Sequence, residues 1–250
     1  MSNLDNWDGA YKSDDYYRQI ISNTRDAAVT ESRFLTRTYV NLTGAVLLFA
    51  ALEALIFTFF GAEPILRAMV SGGRAVGFGM LGLCILGPMG VNAIISNAKT
   101  RFGYYVALVA YVVLYTVLFI PILSIASSFC GTAIIWQAVG LTAALFVALS
   151  AAVIMTRANF TFMRAGLAFG GIAALILIVA SLLFGFELGA WFSIAMILLA
   201  CGYILFETSV ILHANDLDEN SDVVAALTLF GSVMTLFFYI LRLLLAFNRR

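Results

Sequence analysis

The sequence predicts an all-α polytopic membrane protein, a seven-transmembrane-helix bundle that forms a single domain. Of its 250 residues, 62% are hydrophobic and only 11% are charged, and the mean hydropathy is +0.99. A water-soluble domain of this length has too little interior to bury so much apolar surface. The apolar runs are also continuous, which indicates helices, because the strands of a membrane barrel alternate apolar and polar residues.

Seven apolar segments are each long enough to cross a bilayer, since a helix needs about 20 apolar residues to span a hydrocarbon core of about 30 Å. The predicted spans are Tyr39–Phe60, Val76–Ser96, Tyr104–Ala126, Ala133–Met155, Ala165–Phe184, Ala190–Leu212 and Val223–Phe247. We expect residues 1–38 to form a polar N-terminal segment, either disordered or a short interfacial helix, and residues 39–250 to form the transmembrane domain. The longest connection, Gly61–Ala75, leaves no room for a second soluble domain.

Lys and Arg near the span ends predict the orientation, because these residues are more frequent on the cytoplasmic side of a membrane. The side of the N-terminal segment carries Arg25, Arg33, Arg37, Lys99, Arg101, Arg157 and Arg164. The other side carries Arg67, Arg74, Arg249 and Arg250. We therefore expect a cytoplasmic N-terminus and a C-terminus on the opposite side, although a re-entrant last segment would put both ends inside. No cleavable signal peptide is recognisable, so we expect the first span to remain as an anchor.

Composition argues against several functional classes. A net charge of zero argues against a nucleic-acid partner, and the lipid bilayer and other membrane proteins are the partners to expect. Cys84, Cys130 and Cys201 are isolated, which is typical of packing residues and not of a metal site or a disulfide framework. An intramembrane protease needs a histidine or two aspartates within its spans, and no predicted span contains either residue. We expect no enzyme activity, no cofactor and no dedicated metal site.

Prolines and glycines within the spans predict how the helices pack. Pro88 and Pro121 lie in spans two and three, where each removes a backbone donor and favours a kink. Kinked helices suit a bundle that encloses a cavity, although such prolines also occur in closely packed membrane helices. Gly166 and Gly170 form a Gly-x-x-x-Gly pattern in span five, which permits close approach of another helix of the bundle or, alternatively, of a second copy of the chain.

Glu53, Glu207 and Arg242 are the only charged side chains within the predicted spans. A charge at the membrane centre costs about 2.5–3.5 kcal/mol on insertion scales, so it is retained where it is paired, solvated in a cavity or functional. Arg242 and Glu53 both lie roughly 8–10 Å below the same face, at 1.5 Å per residue from their span ends. Matching depth and opposite charge predict a structural ion pair between spans one and seven. Alternatively, the Arg242 side chain extends to the interface on its own.

Span seven carries a stripe of polar side chains along one face. Its members, spaced three or four residues apart, are Thr228, Ser232, Thr235, Tyr239 and Arg242. Residues at this spacing lie on the same side of a helix. We interpret the stripe as pore-facing, although hydrogen bonds that join neighbouring helices would produce the same pattern.

Glu207 lies five residues before Leu212, about 8 Å below the cytoplasmic face, and no Lys or Arg lies at a similar depth in any span. Burial without a cationic partner favours the protonated form of a carboxylate. We therefore predict that Glu207 senses pH as a gate or binds a cation; a solvated glutamate at a helix end is the alternative. Asp216 and Asp218 in the next loop extend this to a hypothetical weak cation contact, although the loop lacks the glycine and closing glutamate of an EF-hand.

Several runs of the sequence resemble a known family, in the order in which that family has them. They are Gly103-Tyr104 at the start of span three, Phe119-Ile-Pro121-Ile122 near its end, Gly140-Leu-Thr-Ala-Ala-Leu-Phe in span four, Met155-Thr-Arg-Ala-Asn-Phe-Thr-Phe-Met163 after it, Phe206-Glu207-Thr208 in span six, and Ala225-Ala-Leu-Thr-Leu-Phe with Leu236-Phe-Phe-Tyr-Ile-Leu-Arg-Leu-Leu244 in span seven. On these runs the chain, from about Arg33 to Leu245, resembles the Bax inhibitor-1 family, also called the transmembrane Bax-inhibitor-motif family.

The resemblance implies a bundle with the last helix at its centre and a pH-sensitive calcium leak, in which two aspartates on helices six and seven share a proton and latch the cytoplasmic side. Glu207 matches the first aspartate, whereas Ser232 stands at the second and Thr235 at a family asparagine. Two carboxylates in contact repel each other and a Glu–Ser pair does not, so we expect a weaker latch here. Arg242 matches the family arginine, and Glu53 would replace its acidic partner, which bacterial relatives have on helix two.

The resemblance further implies a bacterial-type member of the family in the inner (plasma) membrane. We expect Ca²⁺ to be the permeant ion and the gate to lie near Glu207 and Ser232, between helices six and seven. The alternative is a non-conducting membrane regulator or binding partner of other membrane proteins. The missing second carboxylate favours that alternative, because Ca²⁺ sites use several oxygen ligands and usually more than one carboxylate.

Overall fold

A computed structural model describes residues 5–213 and 221–248, with side chains from residue 32 onward except at residues 69, 70 and 74. Within these ranges the chain forms seven α-helices, one short 3-10 helix and no strand. The α-helices are α1 (Asp5–Phe60), α2 (Ala62–Asn97), α3 (Arg101–Phe129), α4 (Ala133–Thr156), α5 (Arg164–Phe184), α6 (Ala190–Leu212) and α7 (Ser221–Asn248), and the 3-10 helix is Thr161–Met163. The predicted fold class is confirmed.

Each of the seven α-helices contains a segment long and apolar enough to cross a membrane, and every predicted span lies inside one of them. The predicted connection Gly61–Ala75 does separate the first two membrane-crossing segments, Ser32–Phe60 and Ala75–Asn97, but most of it is helical because α2 already begins at Ala62. A break occurs at Gly73, whose combination of φ 50° and ψ −131° only glycine adopts without strain. The membrane-crossing part of α2 begins two residues later, at Ala75. The predicted domain boundary at residue 38 lies within α1, which is continuous there.

Helix α7 is the central helix of the bundle, as the family resemblance implies. It packs against α1, α3, α4 and α6. Of its most apolar window 67% is buried, against 39% for α3 and less for the others. An aromatic cluster joins it to its neighbours: the Phe119 ring of α3 lies 5.2 Å from Phe49 of α1 and 5.5 Å from Phe237 of α7. Ring contacts of this kind supply dispersion energy. Dispersion holds membrane helices together because the surrounding lipid is as apolar as the contact between the helices.

Helices α2 and α5 lie at the periphery. Helix α2 packs mainly against α3, and α5 packs mainly against α6. Their most apolar windows are only 6% and 11% buried, so most of their surface faces the bilayer. Both predicted helix-interior prolines, Pro88 and Pro121, lie inside continuous helices and line a cavity within the bundle.

The two glycines of the Gly-x-x-x-Gly pattern have different surroundings. A Cβ at Gly170 would lie 2.7 Å from Cδ1 of Leu199 on α6, whereas a Cβ at Gly166 would have no atom within 4 Å. Gly170 therefore allows α5 to approach α6, which is the intramolecular use of the pattern.

This difference predicts the effect of enlarging each glycine. Gly170→Leu should separate α5 from α6 and lower the thermal unfolding temperature of the detergent-purified protein by several degrees, because the clash lies against a packed helix. Gly166→Leu is the matched control and should leave that temperature nearly unchanged. Equal destabilisation by both substitutions would contradict the assignment of Gly170 to the α5–α6 contact.

Candidate functional site

A cavity of about 1290 Å³ runs along one side of α7. Its walls come from α2, α3, α5, α6 and α7, together with residues 186–189 of the α5–α6 connection. The cavity extends from this connection, which we call the α5–α6 end, towards the end where α6 leads into α7, the α6–α7 end. Most of the wall is apolar, and its polar groups are concentrated on α6 and α7.

The whole polar stripe of α7 faces this cavity, as the stripe's spacing predicts. Its five members, Thr228, Ser232, Thr235, Tyr239 and Arg242, all line the cavity. The hydroxyls of Thr228 and Thr235 donate to carbonyls one turn earlier in α7, at 3.0 Å and 2.8 Å. Since these two donors are used within the helix, the lone pairs of Thr228 and Thr235 are what these hydroxyls offer to an occupant of the cavity.

Glu207 lies on α6 near the α6–α7 end of the same cavity, and Ser232 faces its carboxylate from α7. The Oε2 atom of Glu207 is buried and has no hydrogen-bond partner among the described residues. The phenols of Tyr111 on α3 and Tyr203 on α6 are close enough to interact electrostatically with the carboxylate. The structure therefore brings the two predicted gate residues together across the α6–α7 interface, in a setting of neutral polar groups.

Arg242 lies towards the opposite end of the stripe. Its guanidinium donates a hydrogen bond of 2.6 Å to the carbonyl oxygen of Leu188 in the α5–α6 connection. The Phe192 ring lies 5.8 Å from the guanidinium carbon, in the range of a cation–π contact. Arg242 thus ties α7 to the start of α6.

The predicted ion pair between Glu53 and Arg242 is not formed. Glu53 is only 6% exposed, and neither of its carboxylate oxygens has a hydrogen-bond partner within the described part of the chain. Equal depth fixes only the position of the two side chains along the membrane normal. The side of its helix from which each one projects decides which neighbour it contacts. Arg242 points towards α6 and the cavity, whose lining does not include Glu53.

Asp222 belongs to a polar cluster that the sequence patterns did not predict. It lies in the first turn of α7, is 2% exposed, and accepts a 2.7 Å hydrogen bond from Arg101 at the start of α3. Asn41 of α1 donates to the same oxygen at 3.3 Å, and the Tyr105 hydroxyl donates to Asn41 at 3.2 Å. The cluster joins the middle of α1 to the starts of α3 and α7.

The sequence held a weak signal for this cluster. An acidic residue in the first turn of a helix is favoured by the helix dipole, and Arg101 begins a span on the same side of the membrane. Asp216 and Asp218, the other members of the predicted weak cation contact, lie outside the described residues. His213 is described, and its Nδ1 lies 2.8 Å from the carbonyl oxygen of Ser209. Within the described parts of the chain, no group of three His, Cys, Asp or Glu side chains could hold a metal ion.

Comparison with known proteins supports the resemblance carried by these residues. The family model described as "Inhibitor of apoptosis-promoting Bax1" matches residues 31–249, nearly the whole chain. The chain belongs to the Bax inhibitor-1 family. A comparison with curated proteins finds no match. This member of the Bax inhibitor-1 family is an integral membrane protein whose α6–α7 contact holds Glu207 and Ser232.

The separation of Glu53 from Arg242 can be tested with a double-mutant cycle of Glu53→Gln and Arg242→Gln. The two changes in unfolding free energy should add to within about 0.5 kcal/mol, because residues without contact or shared partners act independently. The comparison cycle is Asp222→Asn with Arg101→Gln, which should show a clearly larger coupling. A coupling energy between Glu53 and Arg242 as large as a substantial coupling between Asp222 and Arg101 would mean that Glu53 and Arg242 do form an ion pair.

The Asp222 cluster should contribute measurably to stability. Asp222→Ala leaves Arg101 and Asn41 without their shared acceptor and should lower the unfolding free energy in micelles by about 1–3 kcal/mol. The control is Glu63→Ala, which breaks the exposed 3.2 Å Glu63–Arg67 pair of α2 and should cost at most about 1 kcal/mol. If the two variants lose equal stability, the cluster is no more than a surface ion pair.

Proposed function

We propose that this protein is a cation leak of the Bax inhibitor-1 family and that the cavity beside α7 is its ion path. The observation that carries the proposal is the position of Glu207. Its carboxylate lies on a cavity that runs along the central helix and is lined on α7 by hydroxyls. A hard cation such as Ca²⁺ prefers oxygen ligands, and the polar groups of this cavity include the carboxylates of Glu207 and Glu187 and several hydroxyls.

A single carboxylate at the α6–α7 end of the cavity favours the passage of a cation over its tight binding there. An ion crosses a channel when binding is favourable enough for entry and weak enough for release. One carboxylate with neutral Ser232, Tyr111 and Tyr203 near it attracts a cation without the several charged ligands that hold Ca²⁺ tightly. We propose that deprotonated Glu207 admits cations and that its protonation closes the path, with Ser232 as hydrogen-bond partner of the carboxyl group.

The proposed setting is the bacterial inner membrane, with the N-terminal segment and the α6–α7 end on the cytoplasmic side. The larger number of Lys and Arg residues on that side supports this orientation. Glu207 then lies near the cytoplasmic mouth of the path and responds to cytoplasmic pH. Arg242 lies near the opposite mouth, where its positive charge would slow cations that enter from outside.

A non-conducting regulator of other membrane proteins is the second candidate, and one observation favours it. Ser232 replaces the second acid, so the α6–α7 contact contains one carboxylate instead of two. A regulator would use the bundle as a docking partner and would need no continuous ion path.

Calcium flux from vesicles tests the first candidate against the second. Purified protein is reconstituted with a Ca²⁺ indicator, and flux is recorded between pH 6 and 8. Flux should rise with pH, because deprotonation gives Glu207 the negative charge that attracts the cation. In Glu207→Gln the flux should fall about tenfold and lose its pH dependence, since a tenfold change corresponds to about 1.4 kcal/mol of lost stabilisation.

Glu53→Gln is the matched control, because Glu53 is also a buried glutamate but does not line the cavity. It should keep both the flux and its pH dependence. Absence of protein-dependent flux at every pH would overturn the cation leak and favour the regulator. Flux that Glu207→Gln does not change would retain the leak but remove Glu207 as its gate.

A further inference from the structure

The cavity is closed on its bilayer side by a narrow contact between α2 and α5. The contact is at Gly77 of α2, where a Cβ would lie 3.1 Å from Cδ1 of Leu182 on α5. Because α2 packs mainly on α3 and α5 mainly on α6, the two helices belong to separate helix pairs. Nothing in this arrangement requires α2 and α5 to remain together along their whole length.

Further along the two helices the wall of the cavity is open. Cys84 follows Gly77 by seven residues, and Leu175 precedes Leu182 by seven, so both lie about 10 Å from the contact on antiparallel helices. Both residues line the cavity, and both are exposed, Leu175 by 39%. Helices α2 and α5 make little contact with each other, so exposed cavity-lining side chains at this depth indicate a wall that helix packing does not close. Cys84 and Leu175 therefore mark a gap between α2 and α5.

The gap lies at the depth of the hydrocarbon core. Cys84 is nine residues from Ala75, where the membrane-crossing part of α2 begins, which places it about 14 Å inside a core about 30 Å thick. The cavity wall next to the gap is apolar and includes Met80, Leu81 and Ile178. At this depth the surroundings contain acyl chains and almost no water.

We propose that one acyl chain of a bilayer phospholipid enters between α2 and α5 and lies along the apolar α2 and α5 side of the cavity, with its end within reach of Phe238 on α7. The volume of about 1290 Å³ is larger than the roughly 300–1,000 Å³ of most small-molecule sites, which leaves ample room for a single chain. Dispersion contacts with an apolar wall favour a chain over an empty space, since a void leaves its lining without partner atoms. The proposal concerns binding alone, and its test does not depend on ion conduction, although a chain in this cavity would narrow the proposed ion path.

The central position of α7 makes the proposal testable. The cavity face of α7, which includes Thr235 and Phe238, is turned towards the helices that line the cavity and not towards the outside of the bundle. Phe169 and Trp191, in contrast, are 73% and 84% exposed on the outside of the bundle. A lipid that reacts only at its chain end therefore distinguishes a chain in the cavity from a chain in the surrounding bilayer.

The probe is a phosphatidylcholine with a diazirine near the end of one acyl chain, present in phosphatidylcholine–phosphatidylglycerol vesicles that contain the full-length protein. After illumination, mass spectrometry of peptides maps the adducts. We expect adducts on the cavity face of α7, at or near Thr235 and Phe238, in addition to those on Phe169 and Trp191. Labelling confined to outward-facing residues would overturn the proposal. Labelling of α7 by a diazirine fatty acid but not by the phospholipid would also overturn it, because the occupant would then not be a bilayer phospholipid.

A matched pair of substitutions on α5 tests the route of entry. Leu175→Trp narrows the gap and should lower the α7 adducts at least fivefold while the outward adducts stay constant. Leu177→Trp is the control, because Leu177 is similarly exposed, at 45%, but does not line the cavity. Cys84→Phe narrows the gap from α2 and should act like Leu175→Trp, and the constant outward adducts show that each variant is folded. Equal α7 labelling in all three variants would overturn entry between α2 and α5.

Discussion

The enclosure of α7 is the constraint on which the rest of the structure depends. Its polar stripe would be costly against lipid, because hydrocarbon offers no partner to hydroxyls or to a guanidinium. Four helices, α1, α3, α4 and α6, pack against it, and 67% of its most apolar window is buried. The remaining helices, α2 and α5, lie outside this group and pack mainly on α3 and on α6. The order of helices around α7 therefore determines which helices contact each other.

The two sides of α7 are filled differently. Towards α1 and α3, rings such as Phe49, Phe119 and Phe230 form a packed core. On the other side α2 and α5 contact each other at Gly77 and Leu182, and a large cavity remains between the helix pairs. In water such a cavity would collapse or fill, but in a bilayer no hydrophobic force closes a space that lipid can reach. A membrane bundle can therefore keep an open interior beside a close-packed core.

The charged side chains show how differently one bundle can accommodate charge. Asp222 at the start of α7 shares its oxygen with Arg101 at the start of α3 and with Asn41 in the middle of α1. Arg242 bonds a backbone carbonyl of the α5–α6 connection, and Glu207 lies on the cavity next to a serine. The first two join helices, whereas Glu207 lies on the cavity, where we propose that it acts on cations.

Sequence patterns alone determined the fold class, the seven spans, the central last helix implied by the family resemblance and the cavity-facing stripe of α7. Bilayer thickness and helical periodicity are local rules, so they can be read from one segment at a time. The tertiary structure decided everything that depends on the direction in which a helix faces its neighbours. It separated Glu53 from Arg242 despite their equal depth, and it joined Asp222 to Arg101 across 121 residues of sequence. It also kept α2 and α5 in separate helix pairs. The depth of a residue in the bilayer follows from its position in the sequence, whereas the rotation of each helix about its axis and the choice of its neighbours follow from the packing of the whole bundle.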